Sequence, residues 1–213
     1  MLKQLRVLPA TTALMLLFVT QARGQTDSRL AVGGSLTTRA ASSSEAGSSV
    51  SAGFEWRLGH AMEGWGVQNS IFSWFDTDVQ GTIGPGVVGL GNMRIRPIMA
   101  GYGYTWVRGR AAITGDLVGG YSFNSFKLDS FAVQEYSRRL GATGIEAEAT
   151  NAFALKPEIQ VWYDLNSRFG LKMDGGYLLA RPSVVITSSL GEDVHHIRAD
   201  SFLITVGLVY SLF

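Results

Sequence analysis

Residues 49–59 read SVSAGFEWRLG: Val50, Ala52, Phe54, Trp56 and Leu58 alternate with Ser49, Ser51, Gly53, Glu55 and Arg57. The period is two, so one face is apolar and the other polar, as in a strand lying between two different environments. The pattern recurs. In 28–38 Leu30, Val32 and Leu36 share a face; in 110–123 Ile113, Leu117, Tyr121 and Phe123 oppose Thr114, Asp116 and Ser122. In 151–164 Phe153, Leu155, Ile159, Val161 and Tyr163 oppose Lys156, Glu158 and Gln160. In 168–180 Phe169, Leu171, Met173, Tyr177 and Leu179 oppose Lys172 and Asp174. In 198–212 Phe202, Ile204, Val206, Leu208 and Tyr210 oppose Thr205, Gly207 and Ser211. Segments 65–75 and 94–106 are less regular. In the second, Arg94 and Arg96 share parity with Tyr102, Tyr104 and Trp106, and a bulge near Pro97 is expected to resolve the clash. Eight strands of about ten residues result, close to what a tilted strand needs to cross a hydrocarbon layer.

The connections alternate in length. The second, fourth and sixth (HAMEG, 107–110 and 165–167) are short; the first (40–48), third (76–91), fifth (124–150) and seventh (181–197) are long. An up-and-down barrel with periplasmic turns and extracellular loops produces this alternation. The loops are expected to continue partly as structure: 145–151 keeps the two-residue period, and a short helix capped by Gly141 is expected near 129–140. Aromatic residues fall at the two strand ends. Trp56, Trp65, Tyr104, Trp106, Trp162, Tyr163, Phe169 and Tyr210 lie beside the short turns, and Phe75, Tyr121, Phe123, Phe153 and Tyr177 at the other end. Two belts are expected where a barrel meets the two lipid interfaces.

Composition narrows the setting. The 213 residues include 26 glycines and no cysteine, and the net charge is +1. Disulfides, thiolate metal sites and a cysteine nucleophile are excluded, and no strong field recruits nucleic acid. Residues 1–24 read as a secretory signal: basic Lys3 and Arg6, the apolar run VLPATTALMLLFVT, and small Ala22 and Gly24 before a mature start at Gln25. Residues 25–213 form the barrel domain. The polar face carries Glu55, Arg57, Asp116, Lys156, Glu158, Lys172, Asp174, Arg198 and Asp200, a nearly balanced set that suits a closed lumen in which each charge needs a partner. The apolar face is assigned to lipid.

With its export signal, eight alternating segments and closing VGLVYSLF, the chain resembles the small outer-membrane β-barrel proteins of Gram-negative-type bacteria. The resemblance implies an all-β, eight-stranded antiparallel barrel with both termini periplasmic, and assigns Phe213 as the signal read by the barrel-assembly machinery. Phe213 has the opposite parity to Tyr210 and Leu208, so either a bulge shifts the chain end or the faces of this strand are exchanged.

Candidate chemistry is sparse. GPGVVG (84–89) matches a dinucleotide-binding pattern by letter but lacks the strand-then-helix context. GEDVHHIRAD places His195 and His196 among carboxylates, yet adjacent strand residues point to opposite faces and would not share a metal. No spacing sets these histidines against Ser188 or Ser189 as a catalytic group. Neither a cofactor, a metal nor a reaction is therefore expected. An eight-stranded barrel is filled by its own side chains, so the first functional expectation is membrane integrity, adhesion or recognition through the loops. A narrow conduit for small or hydrophobic solutes is second, and a lipid-modifying enzyme third. The expected partners are outer-membrane lipid, the assembly machinery and an extracellular ligand at the loops, with the protein monomeric.

Overall fold

The computed structural model describes residues 30–44, 46–58, 62–70 and 74–212, with the backbone alone for 55–58 and 69–70. The segment expected to be an export signal, His60 and Phe213 lie outside the described residues, as do the side chains of Glu55, Trp56 and Arg57. The chain is nearly all strand: β1 (Leu30–Ala41), β2 (Ser49–Leu58), β3 (Gly64–Ser70), β4 (Phe75–Ile83), β5 (Gly86–Arg108), β6 (Ala111–Leu128), helix α1 (Ser130–Leu140), β7 (Glu146–Ala149), β8 (Ala152–Asp164), β9 (Phe169–Ala180), β10 (Ser183–Ser188), β11 (Gly191–His196) and β12 (Ser201–Ser211). No described helix is long and apolar enough to cross a membrane, which says nothing of crossing by strands.

The main sheet is antiparallel in the order β2-β1-β12-β9-β8-β6-β5-β3, with β4 also on β5. First and last strands pair without interruption from Ala31↔Ser211 to Ala41↔Ser201. Phe202, Ile204, Val206, Leu208 and Tyr210 face outward and Leu203, Thr205 and Val209 inward. Faces are thus not exchanged in this strand, and no bulge occurs within it. Among the described residues β2 pairs with β1 alone and β3 with β5 alone, so a seam remains between these two strands. Above it, Ala46 bridges to Val79 on β4.

At about 3.3 Å per residue, the 23 residues of β5 extend on the order of 75 Å, far more than a layer about 30 Å thick requires. Its lower part pairs with β3 and its upper part, Gly86–Ile95, with β4. The long third loop is therefore a hairpin standing above the membrane, and GPGVVG is its tip, with Gly84 at φ 59° making the turn. β5 itself carries no bulge at Pro97, which faces Ser122 in unbroken register with β6, but on the other edge of β5 the pairing steps by one residue between Ser70↔Met99 and Phe75↔Ile95, at the level of Pro97. A second step lies at Val79/Gln80. Arg94 and Arg96 face outward because they sit above the lipid, where Arg94 Nε meets Asp76 Oδ1 at 2.6 Å. That hydrogen bond, opposed by partial burial, holds the Asp76 carboxyl below its ordinary range.

The extracellular head is completed by α1 and a second sheet, β11-β10-β7. Asp129 caps the helix by accepting from the Phe131 N–H at 3.1 Å, and Gly141 ends it at φ 71°. Arg139 Nη1 donates to the Ile83 carbonyl at 2.9 Å, fastening α1 to β4.

Strands β5 and β6 run close together at two glycines. A Cβ on Gly101 would collide with the Leu117 carbonyl, and one on Gly120 with that of Ile98. We expect Gly101→Ala and Gly120→Ala each to abolish the compact, heat-modifiable species on a gel. Gly115→Ala should retain it, since a Cβ there meets nothing nearer than the Trp106 ring at 3.8 Å.

Candidate functional site: a barrel interior in two zones

Inward positions near the short turns are polar. Lys156 on β8 forms an ion pair with Glu158, and Lys172 Nζ on β9 lies 3.9 Å from Asp174 Oδ2. Gln160 Nε2 joins the strands, donating to Asp116 Oδ2 at 3.0 Å and Glu158 Oε1 at 2.9 Å. Hydroxyl pairs Thr37–Thr205 (3.0 Å) and Thr105–Thr114 (2.8 Å) extend the layer around the wall. Asp116, Lys156, Glu158, Lys172 and Asp174, five of the expected lumen residues, therefore lie together as a charged floor on the neighbouring strands β6, β8 and β9.

Arg198 and Asp200 do not. The chain from Ile197 to Asp200 is irregular, so the two-residue alternation cannot be carried back through it. Arg198 is exposed in the head, and Asp200 accepts from the Ala180 N–H at 3.0 Å and meets Arg181 at 3.5 Å. Two aromatic assignments also change. Phe75 points inward, fully buried, and Trp162 turns to the lumen side, where Lys172 Nζ lies 5.6 Å from its ring centroid. The rest of the lower belt with described side chains is outward and self-packed. Trp65 stacks on Tyr102 at 5.5 Å and meets Tyr104 edge-on, Tyr104 contacts Trp106 at 4.7 Å, and Phe169 contacts Tyr210 at 5.1 Å. Tyr163 is outward and exposed.

Above the floor the interior becomes apolar, a feature that charge patterning missed. Met99, Val118, Ala154, Leu178 and Leu203 line the wall while their neighbours Ile98, Leu117, Phe153 and Phe202 face outward, so both faces are apolar at this level. The cluster continues upward through Phe75, Met93, Ile95 and Ile186 to Tyr136 on α1. Arg39 marks the transition. It is 1% exposed and donates to Ser201 Oγ (3.0 Å) and to the carbonyls of Gly47 (2.7 Å) and Ala199 (3.1 Å), with its guanidinium 5.9 Å from the Phe75 ring centroid. Its shared parity with Ser35 and Thr37 was the available signal, had the first strand been extended past Thr38.

The histidine–serine contact considered for Ser188 and Ser189 does not form among the described residues: His195 Nε2 meets Asp193 and Tyr136 instead. His196 Nδ1 meets Ser183 Oγ at 2.8 Å, but no carboxylate is bonded to that imidazole. Ser188 turns to the Gly191 carbonyl.

No protein-family model matches the chain, and no curated protein matches its sequence. Solved structures do match. The outer membrane protein OprG from Pseudomonas aeruginosa superposes with a TM-score of 0.68 at 15% identity, over 89% of this chain and 98% of that one. Outer membrane protein AlkL, determined in lipid bilayers, gives 0.53 at 12% identity over 89% and 92%. Outer Membrane Protein W of E. coli gives 0.52 at 14% identity over 89% and 100%. By fold, the chain is a small outer-membrane β-barrel.

Breaking the floor should be costly. Lys156 and Glu158 are 5% and 6% exposed, and removing one partner of a buried pair typically costs about 3–5 kcal/mol. We expect Lys156→Met to lower the denaturant midpoint in micelles markedly, and Lys156→Met combined with Glu158→Leu to recover most of the loss.

Proposed function

We propose that this outer-membrane β-barrel admits small apolar solutes through its extracellular head and releases them sideways into lipid rather than through to the periplasm. The observation carrying this reading is that the apolar interior descends to membrane level and meets the seam between β2 and β3: Met99, at its lower edge, is in register with Ser70 at the top of β3. Below lies the charged floor, and a solute entering it would have to strip buried ions of their partners at several kcal/mol each. Strand edges facing hydrocarbon leave backbone groups unpaired at similar cost. Pairing the two strands with each other would remove that cost. Met93 and Met99 supply the adaptable side chains that an otherwise filled interior needs in order to yield.

A second reading is favoured by the head. A capped helix, a three-stranded sheet and the β4–β5 hairpin share one apolar core, which is more order than closing loops requires. Such a head suits recognition of an extracellular ligand. In both readings the protein is a monomer, not an enzyme, anchored by outer-membrane lipid and inserted by the assembly machinery.

Gly53 on β2 and Gln68 on β3 lie on the two strands that border the seam, both at inward parity. In cells carrying the protein, entry of the apolar dye N-phenyl-1-naphthylamine should be faster than in cells without it. A Gly53→Cys, Gln68→Cys pair should slow entry to background when oxidised and restore it when reduced. In planar bilayers the protein should give no steady ionic steps. Dye entry indifferent to the disulfide, or reproducible conductance, would remove the sideways route.

A further inference from the structure

The head holds a constellation that the passage does not use. Tyr136 on α1 and Asp193 and His195 on β11 converge on one point. Tyr136 Oη lies 2.7 Å from Asp193 Oδ2 and 3.0 Å from His195 Nε2, and His195 Nε2 lies 3.1 Å from Asp193 Oδ2. The three atoms form a nearly equilateral triangle. At most two protons, one on the phenol and one on the imidazole, serve its three edges. Residues two apart on a strand share a face, which sets Asp193 beside His195. His196 turns the other way, to Ser183. Gly81 on β4 makes room for the imidazole, since a Cβ there would stand 2.9 Å from His195 Nδ1.

We propose that Tyr136, Asp193 and His195 form a three-ligand site for ferric iron. Donors bound about 2.0–2.2 Å from a metal, as nitrogen and oxygen ligands typically are, stand about 2.8–3.1 Å apart when they occupy adjacent corners of an octahedron. The observed triangle has nearly these edges before any ion enters. Imidazole suits iron, and two hard oxygens favour its trivalent form. On binding, the Tyr136 O–H bond breaks, its proton passes to water and an Oη–iron bond forms. Asp193 Oδ2 and the Nε2 lone pair of neutral His195 supply the other two bonds. No electron is transferred, and water fills the remaining positions.

Burial, then the hydrogen bond and charge of Asp193, hold the Tyr136 phenol above its ordinary range. Tyr136 is 3% exposed, while the side chains of His195 and Asp193 are 13% and 49% exposed, so the ion enters from the Asp193 side. Among the described residues no three His, Cys, Asp or Glu side chains cluster as a metal site. The phenol completes a set that the facing of His195 and His196 alone argued against. A bound ion would pin α1 to the β10–β11 hairpin across the top of the apolar interior.

The test is titration of the full-length folded protein in detergent with ferric nitrilotriacetate, read by the visible phenolate-to-iron charge-transfer band. One equivalent should develop the band and raise the melting temperature. Tyr136→Phe, which keeps the buried ring, should abolish both effects while the heat-modifiable gel species persists. Asp193→Asn should weaken binding by at least about tenfold, and His196→Ala should leave it unchanged. Absence of a band in the unaltered protein, or an equal band in Tyr136→Phe, would overturn the site.

Discussion

A strand in hydrocarbon must give every backbone N–H and C=O a partner, because lipid supplies none. The rest of this architecture follows from that demand. It explains why β1 and β12, at opposite ends of the described chain, run in unbroken register over Ala31–Ala41. It also gives the seam between β2 and β3 its interest, as the part of the described wall where the demand is unmet along the strands.

The same chain solves a second problem by reversing its polarity. In the lower part of β5, Tyr102 and Trp106 face outward and Thr105 inward. Higher on the same strand Arg94 and Arg96 face outward and Met93 and Ile95 inward. The period never changes. The surroundings do, from lipid to water, and the two faces exchange chemistry accordingly. The switch is not simultaneous: Met99, Val118 and Leu203 are already apolar inside while their outward neighbours still suit lipid. Under the proposed function, that overlap is where a solute would pass from the interior into the membrane. Arg39 sits at the level where both interiors meet, held by hydroxyl and carbonyl oxygens on separate segments.

Period two was enough to read the eight wall strands from the sequence, and Gly141 as a cap was enough to place α1 near residues 129–140; its N-cap, Asp129, came from the structure. What stayed hidden has physical causes. Strand β4 alternates as well as any, with Phe75, Thr77 and Val79 inward, but Asp76 and Asp78 on its outer face look like loop residues to a reader expecting lipid there. The bulge assigned to Pro97 came from the same assumption, that one face meets one solvent along the whole strand. Lys156, Glu158, Lys172, Asp174 and Asp116 were legible as a floor because charge of both signs on one parity demands mutual pairing. Gln160, which links them, carries no charge to draw attention. Arg198 and Asp200 were misplaced because parity was carried through an irregular turn. The triangle of Tyr136, Asp193 and His195 joins a helix to a strand 57 residues away, a separation that no local pattern encodes.

The central claim, that alternate residues meet lipid while their neighbours meet the barrel interior, is tested most directly by nitroxide labels at consecutive positions 202–209 of β12 in bilayers. Phe202, Ile204, Val206 and Leu208 should be open to oxygen and closed to a water-soluble nickel chelate, and Leu203, Thr205, Gly207 and Val209 closed to both. Nickel access at the even positions, or no alternation at all, would contradict the account.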